Sequence, residues 1–75
     1  MRVTVKIVGP FVYQAGFSER DIELMESATA EDLLLRVNID KEGREIVLRN
    51  GKAVSLRDAL ADGDRVVISP IYSGG

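Results

Sequence analysis

Apolar and polar residues alternate at the start of this chain. Residues 2–8 set Val3, Val5 and Ile7 against Arg2, Thr4 and Lys6, the period of two that a half-buried strand requires. Gly9-Pro10 stops that strand. Residues 10–17 hold Phe11, Tyr13 and Phe17 and read as a long structured loop or a turn of helix. A second strand is expected over 20–25, with Ile22 and Leu24 on one face, paired antiparallel with the first. The period then changes. Leu33, Leu34 and Val37 recur at helical spacing behind a start signal in which Thr29 caps and Asp32 stands three residues on. Glu31 and Asp32 suit the positive end of the helix dipole, and the helix is expected to end near Asn38. Residues 45–49 predict a third strand, Asn50-Gly51 a tight hairpin, and 52–54 its return. Ser55 is expected to cap a brief turn of helix through Leu60, Asp62-Gly63-Asp64 to form a turn, and residues 65–69 the last strand.

The predicted order is β-β-α-β-β-β. One amphipathic helix must bury its stripe, and a mixed sheet is the surface on offer. The first and last strands are the most apolar and therefore belong at the centre. A right-handed crossover places the helix across one face. The expected fold is α+β: a ubiquitin-like β-grasp with a mixed four- to five-stranded sheet and one main helix, built from residues 1–69. Residues 70–75 follow as an extended tail ending in Gly74-Gly75.

On the last strand Val66 and Ile68 are expected to face the helix, which turns Val67 and Ser69 outward. On the third strand Ile46 and Leu48 share one face, Val47 and Arg49 the other. Arg49 is a poor candidate for unpaired burial, which favours an exposed Val47. Val47 and Val67, with Pro70, Ile71, Tyr72 and Ser73 of the tail, then make a small apolar docking surface.

Composition narrows the chemistry. The 75 residues allow one domain, and a chain of this length buries about 60% of its unfolded surface. There is no Cys and no His, which removes thiol nucleophiles, thiolate metal sites and the commonest general base. A domain this small has little room for an enclosed substrate pocket, so a self-contained enzyme is not expected. The net charge is −2 with lysines and arginines scattered, which argues against a nucleic-acid stripe. No apolar run reaches the length of a membrane span, and the N-terminus alternates like a strand and is not a signal peptide. The expected molecule is cytoplasmic and a monomer when free. Asp62 and Asp64 fall short of a calcium loop's ligand count and read as turn residues. Lys52, beside the hairpin turn, is exposed and a candidate acceptor for a conjugate.

Several segments together resemble the MoaD/ThiS-type sulfur carriers of molybdopterin and thiamine biosynthesis and their archaeal ubiquitin-like modifier relatives. Phe11 to Gly16 with Ile22-Glu23-Leu24 looks like the first connection and second strand of the molybdopterin-synthase small subunit. Ser27-Ala28-Thr29-Ala30-Glu31-Asp32-Leu33-Leu34 looks like the family's helix start. Val47-Leu48-Arg49-Asn50-Gly51-Lys52 looks like its strand and turn, and Leu60 through Asp64 like its Asp-Gly-Asp turn. A terminal Gly-Gly alone occurs by chance in roughly 0.5% of chains at ordinary glycine usage. Here it stands at a set distance from that turn. The tail departs from the molybdopterin branch in carrying Ser69-Pro70-Ile71 where two prolines are usual.

The resemblance implies that the working group is the Gly75 carboxylate. A carboxylate is a poor acyl donor, so an E1-like partner with ATP and Mg²⁺ would convert it to an acyl-adenylate; no cofactor is expected on this chain itself. Displacement of AMP by a persulfide leads to a thiocarboxylate for a sulfur-acceptor enzyme, of which the molybdopterin synthase large subunit is one. Displacement by a thiol and then by a target lysine makes an isopeptide bond instead. Gly74 and Gly75 lack Cβ atoms, which lets the tail pass close to the walls of a partner's channel. A third alternative is a non-covalent β-grasp adaptor with an inert tail.

Overall fold

A computed structural model describes residues 1–39 and 45–71. They form β1 (Arg2–Ile7), α1 (Phe11–Ala15), β2 (Glu19–Glu23), α2 (Ala30–Arg36), β3 (Glu45–Arg49), β4 (Lys52–Val54) and β5 (Arg65–Pro70). The stretch 10–17, read as a loop or a helical turn, contains α1. The segment after Ser55 forms hydrogen-bonded turns rather than the expected helical turn: Ser55 Oγ accepts from Arg57 N and Asp58 Oδ2 from Ser55 N. The strand expected over 20–25 begins and ends one to two residues earlier.

The five strands lie in the order β2-β1-β5-β3-β4. β1 and β5 run parallel at the centre, and every other pairing is antiparallel. This mixed sheet with α2 on one face is the ubiquitin-like β-grasp. Period-two alternation delivers Val3, Val5 and Ile7 of β1, and Val66 and Ile68 of β5, to the covered face. α2 meets them with Ala30, Leu33 and Leu34, and Phe11, Ile22, Val37, Ile39, Val47 and Leu60 join the same core. Each fully buried aliphatic side chain contributes about 1.5–3 kcal/mol.

Local signals set the ends of α2. Thr29 Oγ1 accepts from Asp32 N at 3.2 Å, and Asp32 Oδ2 accepts from Thr29 N at 2.9 Å, a reciprocal capping box. At the other end Asn38 takes φ 64°. Its N–H reaches Leu35 O at 3.3 Å, and Ile39 N–H reaches Leu34 O at 3.0 Å, the paired bonds of a Schellman motif. Ile39 and Leu34 are both in the core, so the cap is also an apolar clasp. Replacing Thr29 by Ala removes the side-chain acceptor of the Asp32 N–H. It is expected to lower stability by about 1 kcal/mol, a fall in Tm of roughly 4–8 °C for a domain this size, measurable by calorimetry.

The sequence reading placed β3 in the wrong orientation. Val47 is 3% exposed and pairs with Ile68 on the covered face, so it is not part of an exposed docking surface. Ile46 and Leu48 face outward instead. The physical reason is that Arg49, on the Val47 face, is not left unpaired: its Nε donates to Asp64 Oδ2 at 2.6 Å. The last strand also runs one residue further than expected, with Pro70 opposite Glu45. A proline that cannot donate is tolerated at such a strand terminus.

Candidate functional site

β5 is a central strand and leads directly into the tail. Pro70 is half-buried, and Ile71 is 51% exposed. Tyr72, Ser73, Gly74 and Gly75 lie outside the described residues.

Beside the exit of β5 is the face of the sheet opposite α2. Direct pairing puts Leu48 beside Val67, Ile46 beside Ser69, and Val67 beside Lys6 on that face. Leu48, Val67 and Ser69 are half-buried, and Ile46 is 36% exposed. The sequence reading placed Val67 here correctly and missed Ile46 and Leu48. Ile46-Val47-Leu48 is uninterrupted apolar sequence, so either register buries aliphatic carbon and periodicity cannot choose. The outward set forms a shallow apolar strip, continued by Ile71 and edged by the exposed Lys6 and Ala53.

A buried carboxylate holds this strip in place. Asp64 is 5% exposed. Its carboxylate accepts from Arg49 Nε at 2.6 Å, Ala61 N at 2.7 Å and Asn50 Nδ2 at 3.0 Å. Asn50 Oδ1 accepts in turn from Arg65 N at 2.9 Å, which ties the β3-β4 hairpin to the start of β5. Burial alone would push the Asp64 carboxyl up. The Ala61 N–H and the Arg49 and Asn50 side chains outweigh burial and hold it below its ordinary value. Asn50 and Gly51 take φ 52° and 88°, as a two-residue primed hairpin turn requires.

Asp62 has a different task from Asp64, although both stand in one turn. Its Oδ1 accepts from Arg2 N at 2.7 Å and fastens the turn to β1. Among the described residues no cluster of three or more His, Cys, Asp or Glu could hold a metal ion. Lys52 is exposed at the start of β4. Of the aromatic residues, Phe11 is buried in the core, Phe17 is half-buried, and Tyr13 is 89% exposed. No described helix is long and apolar enough to cross a membrane.

Comparison with known proteins agrees with the β-grasp fold. The model of the ThiS family matches residues 5–75. A Pyrococcus furiosus protein assigned as molybdopterin converting factor subunit 1 is 31% identical, with 93% of this chain and 97% of that one covered at a TM-score of 0.75. SAMP1 from Haloferax volcanii is 26% identical over 100% of both chains, with a TM-score of 0.77. Subunit 1 of molybdopterin-converting factor from Helicobacter pylori, solved in complex with subunit 2, matches over 100% of both chains at a TM-score of 0.67; at 21% identity it speaks to the fold alone. With a β-grasp sheet, a family match that runs through Gly74-Gly75 and relatives of both kinds, the chain belongs to the ThiS family, at the level of a small sulfur carrier or ubiquitin-like modifier.

Proposed function

We propose that this protein is a sulfur carrier whose Gly75 carboxylate is activated by an E1-like enzyme and converted to a thiocarboxylate. The observation that carries the reading is the family match over residues 5–75, which includes the Gly-Gly pair and the strand that leads to it. In the first step the carboxylate attacks the α-phosphate of ATP, forming acyl-AMP and releasing pyrophosphate. ATP and Mg²⁺ are held by the partner, where positive charge offsets the charge developing on phosphate. In the second, a persulfide sulfur displaces AMP and gives an acyl disulfide. A thiol then cleaves the S–S bond, leaving the thiocarboxylate and a disulfide. Transfer of that sulfur to an acceptor, and hydrolysis, restores the carboxylate. Molybdopterin, thiamine and tRNA thiolation are the acceptor pathways in view. A second subunit of the molybdopterin-synthase kind is one partner consistent with the subunit 1 relatives.

The body of the protein must be gripped while the tail reacts. The strip of Ile46, Leu48, Val67 and Ile71 is the surface we assign to that grip, because it flanks the strand from which the tail departs. Val67→Asp puts a charge on the strip without entering the core. It is expected to weaken binding to the activating enzyme by about 10- to 100-fold, as loss of a central apolar contact does, and to leave the unfolding midpoint within about 4 °C. Titration by calorimetry measures the first and thermal scanning the second.

The likeness to SAMP1 favours a second use of the same activated terminus, conjugation to target lysines. Intact-mass measurement after incubation with ATP, Mg²⁺, sulfide and the E1-like enzyme separates the readings. Exchange of one oxygen for sulfur, lost on deletion of Gly75, is the expected result. No exchange with an enzyme active on another carrier would overturn the carrier reading. Gly-Gly remnants on lysines in a digest would then favour the modifier.

A further inference from the structure

The other end of the sheet carries a surface that the tail chemistry does not use. Among the described residues β2 is an edge strand, paired only with β1. The bonds Ile7 N to Ser18 O and Leu24 N to Met1 O fix the phase of that ladder. Antiparallel pairs alternate between bonded and non-bonded, so Arg20 and Ile22 bond inward to Val5 and Val3. The N–H and C=O groups of Glu19, Asp21 and Glu23 therefore face outward along the free edge.

The side chains along this edge are sorted by charge. Glu19, Asp21 and Glu23 lie on the face away from α2, since they pair with Lys6, Thr4 and Arg2. Two of them already have partners there: Thr4 Oγ1 donates to Asp21 at 2.8 Å, and Arg2 Nε meets Glu23 at 3.0 Å. Toward α2 the sign reverses. A groove of about 350 Å³ runs between β2 and the end of α2, lined by Phe17, Ile22 and Val37 together with Arg20 and Arg36. Asp21 and Glu23 contribute to its outer rim. The Arg20 guanidinium lies 4.5 Å over the Phe17 ring. A guanidinium held over an aromatic face keeps its N–H donors available to a carboxylate.

We propose that this edge and groove receive an extended segment of a partner protein, which adds to the sheet as a sixth strand beside β2. Its side chains alternate. Those over the groove are apolar or acidic, against Ile22, Val37, Arg20 and Arg36. Those on the other face are lysine or arginine, against Glu19, Asp21 and Glu23. A second copy of this chain does not meet that description. In any antiparallel pairing of two such edges the bonded positions on both sides come from Glu19, Asp21 and Glu23. Every register thus opposes acid to acid, which is destabilising. The arrangement deters self-association and selects an occupant of complementary pattern. The strip that includes Val67 lies on β3 and β5, separated from the β2 edge by β1, so both surfaces can be occupied at once.

The test uses the full chain, ¹⁵N-labelled, and a short capped peptide in which lysine alternates with valine and glutamate. Addition of the peptide is expected to shift the amides of Glu19, Asp21 and Glu23 and slow their exchange with solvent. Asp21→Pro removes an outward N–H that β1 does not use and should abolish the effect, with the fold checked by circular dichroism. Arg20→Glu with Arg36→Glu should weaken the peptide by about tenfold or more and instead favour a peptide with lysine in place of glutamate. Three results would overturn the proposal: no shift at millimolar peptide, shifts confined to Leu48 and Val67, or concentration-dependent pairing of the protein through β2 without peptide.

Discussion

One alanine added beyond Gly75 is expected to reduce sulfur uptake to background while leaving the folded body untouched. The extra residue moves the carboxylate by up to about 3.5 Å. A misplacement of about 1 Å at a reacting centre already costs around 100-fold. Gly75 becomes an internal residue whose carbonyl is an amide, a group that cannot form an acyl-adenylate. The buried core of the described residues ends with Ile68, so the unfolding midpoint should not move. Intact mass after activation reads the first effect and calorimetry the second. If the extended chain still gains sulfur at the native rate, the carboxylate is not the acceptor. A protein whose only role is non-covalent would keep its partner with the extension in place. The result therefore separates a carrier or modifier from an adaptor.

Asp64→Ala is expected to be among the most destabilising substitutions outside the aliphatic core. The change strands three donors: Arg49 Nε, Asn50 Nδ2 and Ala61 N. Removing one partner of a buried pair costs about 3–5 kcal/mol. The Arg49 side chain is 35% exposed and regains some water, so about 2–4 kcal/mol is the expected loss. For a domain of this size that is a fall in Tm on the order of 10–20 °C. Because the hairpin is tied to β5 through this carboxylate, the Leu48–Val67 strip should also loosen, visible as faster amide exchange in β3.

The same residue sets an acid response. The folded-state pKa of Asp64 lies below its ordinary value of 3.8. Its contribution is thus complete above the unfolded value and is lost as pH falls through the folded one. Native protein should lose stability in the range below about pH 4. Asp64→Asn should be less stable at neutral pH and flatter in acid, with the two curves converging at low pH. Parallel curves would mean that Asp64 is not the group responsible.

Much of this molecule was legible because its signals are local. The alternation in β1, the apolar run of β5, the Thr29 and Asp32 cap, and Asn50-Gly51 each depend on a few neighbouring residues. Those signals are enough to order the elements and to place the two apolar strands centrally. The orientation of β3 was not legible. Ile46, Val47 and Leu48 bury similar carbon either way, and the deciding partner of Arg49 lies fifteen residues on, at Asp64. An arginine that looks unsuited to the covered face becomes suited once a buried carboxylate meets it. Reading Asp62-Gly63-Asp64 only as a turn hid that role.

The groove beneath β2 was equally invisible. Phe17, Arg20 and Arg36 are far enough apart in sequence that no window contains them as a set, and pairing with β1 decides which side of β2 is free. The sequence by itself determined the main elements and their order, because capping, turn formation and period depend on bonds within a few residues. Only the tertiary structure decided which apolar face of β3 is exposed, that Asp64 is a buried anchor, and that charge is sorted across the β2 edge. Each of those rests on contacts between strands, whose partners are set by the packing of the whole sheet against α2.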